Sequence, residues 1–102
     1  MDPDLPDNIN ISDVVVSTAC RDQGEVFYVI MEEANYLYLV NGKDRPLDKP
    51  KRKKRKHVQK VLRSETRVAD KLRSGDKVLN GELRRDLAAF RQNMQSNNLG
   101  GF

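Results

Sequence analysis

The chain has 102 residues, 33% of them charged and 37% hydrophobic, with a net charge of +4; that is room for one domain with a modest core, and not for two. No apolar run approaches the roughly 20 residues that span a bilayer, and the opening Met1-Asp2-Pro3-Asp4 is acidic where a secretory leader is basic, so a cytoplasmic protein with no membrane partner is expected. One cysteine, Cys20, and one histidine, His57, are too few ligands for a structural zinc site, and no third group marks them as a nucleophile and base.

Residues 1–11 are rich in Pro and Asp without periodicity, and are expected to be a flexible lead. Asp13 to Thr18 is dense in β-branched residues and predicts a first strand. Ala19 to Gly24 is a polar turn ending on a glycine, with Asp22 expected to orient Arg21. In Glu25 to Glu33, Val26, Tyr28 and Ile30 alternate with Phe27, Val29 and Met31, which predicts a strand covered on both faces. Tyr36 to Val40 predicts a third strand, and Asn41-Gly42 a two-residue hairpin turn. Lys43 to Asp48 would return as a fourth strand, at an edge because Pro46 has no N–H. The basic run then follows as an extended connection, and His57 to Val61 alternates as a short fifth strand. Five closely spaced strands predict a small antiparallel barrel over residues 12–62, since closure removes exposed edges.

Beyond Leu62 the period changes. Ser64 is the expected N-cap of a helix carrying Val68 and Leu72 and ending at Gly75. Asn80 begins a second, with Leu83, Leu87 and Phe90 on one stripe. The fold class is therefore mainly β with two short C-terminal helices over residues 63–93, and residues 94–102 are expected to be a disordered tail. Of the aromatics, Phe27, Tyr28, Tyr36 and Tyr38 are read mainly as core.

Asp48 to His57 is the chain's most distinctive stretch: Lys49, Lys51, Arg52, Lys53, Lys54, Arg55 and Lys56 gather with no acid after Asp48 until Glu65. Residues 1–42 carry −7 and the remainder +11, which predicts an acidic side that turns away from any polyanion. A concentration of like charge that buries no apolar surface is tolerable when a polyanion can displace its counterions. A monopartite nuclear-import signal has similar composition, but a place between two strands is wrong for one. There is no Gly-rich phosphate loop, paired-carboxylate constellation or nucleophile elbow, so no enzymatic activity, cofactor or small-molecule substrate is expected.

Three segments together resemble the KOW-domain RNA-binding proteins, small bacterial relatives of a large-subunit ribosomal protein family of archaea and eukaryotes. They are Val14 to Gly24, Tyr38-Leu39-Val40-Asn41-Gly42, and Leu47-Asp48-Lys49-Pro50-Lys51 through His57. Cys20 stands where that family usually has a glycine, and Gln23 where it usually has a lysine. The resemblance implies an SH3-like barrel that binds RNA, ribosomal RNA above all. The expected RNA-binding residues are Arg21, Gly24, Lys43, Arg45, Lys49, Lys51, Arg52, Lys53, Lys54, Arg55, Lys56 and His57, in a protein expected to be monomeric. A protein–protein adaptor and a transcription-associated KOW module are the alternative readings.

Overall fold

The computed structural model describes residues 8–100, with side chains through residue 92. Five strands form one antiparallel sheet: β1 (Asp13–Ser17), β2 (Val26–Glu32), β3 (Tyr36–Val40), β4 (Lys51–Lys54) and β5 (Val58–Arg63), in the order β4-β3-β2-β1-β5. A 3-10 turn, Arg55–His57, carries the chain from β4 into β5. No ladder joins β4 to β5 among the described residues, so the sheet is not closed by pairing. Two helices follow, α1 (Arg67–Ser74) and α2 (Asn80–Gly100).

The period-2 pattern sorts the strands' apolar residues into two clusters. Val14, Val26, Tyr28 and Val40 face the helices and pack with Val68, Ala69, Leu83 and Leu87. Val15, Phe27, Val29, Leu37 and Leu39 face the other way and close around Ile9 and Val58. Each fully buried side chain of this size contributes about 1.5–3 kcal/mol. The β1–β2 register, Val14 opposite Tyr28 and Val15 opposite Phe27, keeps the two sets apart; a slip of one residue would exchange them.

The fourth strand differs from the expectation. Residues 43–48 form no strand, and the ladder resumes inside the basic run itself, with Leu37 opposite Lys53 and Leu39 opposite Lys51. Asn41 is the reason: its Oδ1 accepts from the N–H groups of Lys43 (2.8 Å) and Arg45 (3.0 Å), folding the chain locally. Leu47 N–H then donates to Asn80 Oδ1 at 2.8 Å, so these groups are used before a ladder can form. The fifth strand starts one residue later than expected, at Val58, and runs to Arg63.

Four further expectations are corrected. Residues 1–7 of the expected lead lie outside the description, but Ile9 is buried and Ser12 N–H donates to Val29 O, so the chain is packed before β1 begins. The cap of α1 is Thr66, whose hydroxyl accepts from Ala69 N–H. Ser64 instead sits buried beside the Tyr28 hydroxyl, at 2.8 Å. The second helix is not short: α2 continues through Gly100, into the stretch expected as a tail, while residues 101 and 102 lie outside the description. Gly75 closes α1 with φ +79°, as expected of a left-handed cap.

Polar contacts hold the helices on the sheet. The Tyr28 hydroxyl donates to Asp86 of α2, and the Thr66 hydroxyl donates to the same oxygen at 2.8 Å. Burial, together with the adjacent Asp86 carboxylate, pushes the Tyr28 phenol up to about 12. At the other end of the interface Arg84 donates to Gly42 O at 2.8 Å. Gly42 (φ +78°) lies so close to α2 that a Cβ there would fall 2.3 Å from Asn80 O.

Candidate nucleic-acid interface

The alternation of β4 divides the basic run. Lys51 and Lys53 oppose Leu39 and Leu37, whereas Arg52 and Lys54 oppose Tyr38 and Tyr36. Because strand side chains alternate, the first pair turns toward the core side and the second toward the outside.

The inward pair converges on Asp22. Lys53 is buried and donates to Asp22 Oδ1 at 2.6 Å and to Ala19 O at 3.0 Å. The Lys51 ammonium lies 3.0 Å from Asp22 Oδ2, and the Ser17 hydroxyl donates to Oδ1 at 2.7 Å. Burial by itself raises this carboxyl, but Lys53, Ser17 and Lys51 together hold it well below the usual carboxylate range. Asp22 therefore does not orient Arg21, as the sequence suggested; it fastens the β1–β2 loop to β4.

Two more cations of the run meet acids. Arg52 Nε lies 3.3 Å from Glu33 Oε1, and its guanidinium covers the Tyr36 ring at 3.6 Å from the centroid. Arg55 pairs with Glu32 at 3.0 Å and donates to Glu33 O. Lys60, in β5, pairs with the buried Asp13 at 3.2 Å. Among the described residues, Asp13, Asp22, Glu32 and Glu33 of the acidic first half are thus laid against cations of the basic second half, where the sequence predicts that they turn away from them. The seven-cation ridge is corrected in the same way: Lys51, Arg52, Lys53 and Arg55 are matched by three carboxylates, Asp22, Glu32 and Glu33.

Lys49, Lys54 and Lys56 remain: all are exposed, and none meets a carboxylate among the described residues. His57, half-buried, ends the 3-10 turn. The other expected site residues fall into two neighbouring clefts. Arg21 and Arg45 join Lys51 around one of about 230 Å³, which also holds the acids Glu25 and Asp44. Gly24 and Lys43 line another of about 480 Å³ with Arg84 and Arg91 of α2. The second grouping depends on the docking of α2 beside the β1–β2 loop. Gly24 takes φ +91°, the left-handed conformation expected of it. Cys20 takes φ +72° without the freedom of a glycine.

Tyr36 and Tyr38 are half-buried on the outward side of β3, not in the core. Their pairing with the cations of β4 is hidden in the sequence, where Lys43 to Asp48 is the expected partner of β3. Among the described residues no cluster of His, Cys, Asp or Glu is placed to hold a metal ion, and no helix is long and apolar enough to cross a membrane. Compared with known proteins, the chain matches no family model and no curated protein.

Proposed function

We propose that this protein binds RNA without catalysis, through the cations of the Lys49–Lys56 stretch that its own carboxylates leave uncompensated. The observation that carries the reading is the exposure of Lys49, Lys54 and Lys56 with no acid beside them among the described residues. Such charges gain most by exchanging small counterions for phosphates. Arg52 adds to them, because its pair with Glu33 is half exposed and a pair of that kind holds weakly. Arg21, Lys43 and Arg45 flank the stretch and orient the bound strand. The resemblance to KOW-domain proteins supports the same reading, with the five-stranded sheet as an SH3-like scaffold and ribosomal RNA as the ligand.

The salt dependence of binding to ribosomal RNA fragments tests it. Within the Lys49–Lys56 stretch, Lys49, Lys54, Lys56 and Arg52 predict a contribution of about −4 to the log–log slope, against about −6 if all seven of its cations met phosphate, and replacing these four by Gln should remove that contribution. Affinity independent of salt would instead favour a protein–protein adaptor. The internal neutralisation of Lys51, Lys53 and Arg55 is the observation behind that second reading.

A further inference from the structure

Where β4 passes through the 3-10 turn into β5, a cleft of about 750 Å³ opens beside the start of β3. Two of its lining residues, Ile9 and Val58, are apolar and buried. Tyr36 lines it as well, and the Arg52 guanidinium covers one face of its ring at 3.6 Å from the centroid. Asn35 and Gln59, both exposed, line the same cleft, and their side-chain amides make no hydrogen bond among the described residues. Lys54 and Lys56 stand on its wall, exposed and without a carboxylate partner among those residues.

An apolar floor with an aromatic wall, free amide donors and acceptors, and a cationic rim are the three surfaces complementary to a base, its polar edge and its phosphates. The volume lies within the roughly 300–1,000 Å³ of sites that enclose small ligands. A paired base offers only its edges and cannot put a ring face into a cleft, whereas a bulged or looped base can. A purely acidic peptide such as poly-glutamate would satisfy Lys54 and Lys56 but offers no ring face to Tyr36.

We infer that this cleft receives one unpaired nucleotide of an RNA: its base lies against Tyr36 and Val58, its edge meets Asn35 and Gln59, and the adjoining phosphates sit on Lys54 and Lys56. The inference rests on the RNA-binding reading above and narrows it to RNA with an extruded base.

The test is fluorescence anisotropy with the full chain and two labelled RNA hairpins, one perfectly paired and one identical but for a single bulged nucleotide. The bulged hairpin should bind about 5- to 100-fold more tightly. The double variant Asn35→Ala/Gln59→Ala, both at exposed positions, should lose several-fold of that preference while retaining its affinity for the paired hairpin. Tyr36→Leu should reduce the preference further, with circular dichroism reporting whether it folds. Equal binding of the two hairpins overturns the cleft assignment and leaves RNA binding standing. So does a preference that survives the double variant, or displacement by poly-glutamate as effective as by the bulged RNA. Failure to bind either hairpin overturns both readings.

Discussion

Lys53 Nζ lies 2.6 Å from Asp22 Oδ1, and the lysine side chain is 4% exposed. A residue from the middle of the most basic stretch is therefore an internal brace between β4 and the β1–β2 loop. Its stem runs beside Leu37, its cross-strand neighbour, and its ammonium is shared between Asp22 and Ala19 O. Asp22→Asn leaves that buried ammonium without its anion and should cost about 3 kcal/mol in urea unfolding. Asp22→Asn combined with Lys53→Met removes both charges and should recover a substantial part of the loss.

The same pair sets an acid dependence. The folded carboxyl of Asp22 is held below its unfolded value of 3.8, so its contribution is complete above that value and is lost as pH falls through the folded one. Stability measured from pH 5 downward should therefore fall, and Asp22→Asn should flatten the curve over that interval.

Tyr28 gives the opposite sign at the alkaline end. Its phenol is raised from 10.0 to about 12, so its contribution is whole below pH 10 and disappears as pH climbs toward 12. Ultraviolet titration should find one tyrosine ionising near 12. Tyr28→Phe should abolish that step and loosen α2 by about 1 kcal/mol, since Asp86 then loses a hydrogen-bond donor.

Two glycines separate backbone strain from helix docking. Gly24 (φ +91°) has open space where a Cβ would sit, so Gly24→Ala should cost only the left-handed penalty of about 1 kcal/mol. Gly42 (φ +78°) would drive its Cβ against Asn80 O, so Gly42→Ala should cost about 3 kcal/mol or more and release the start of α2. Chemical denaturation of both variants reads the difference.

Cys20 invites the reverse substitution. Its φ of +72° costs an ordinary residue about 1–2 kcal/mol, part of which a glycine returns as unfolded-state entropy. Cys20→Gly should stabilise the protein by about 0.5–1 kcal/mol in the same assay.

The alternation of Val14 to Val16, Val26 to Ile30 and Tyr36 to Val40, the later switch to helical spacing, and the chain reversals at Gly24 and Gly75 were all legible from residue order. Each depends on neighbours a few positions apart, where side-chain direction and allowed φ follow from local sterics. The partner of β3 was not legible. Asn41 draws the following N–H groups into a turn and Asn80, far along the chain, takes Leu47 N–H, so the ladder resumes only at Lys51. That displacement decided which cations turn inward to Asp22 and which remain outside with Tyr36. Composition established that the second half of the chain is basic. Only the folded arrangement decided how much of that charge is left over, because neutralisation depends on which acids the sheet brings within a few ångströms, and sequence separation carries no information about that distance.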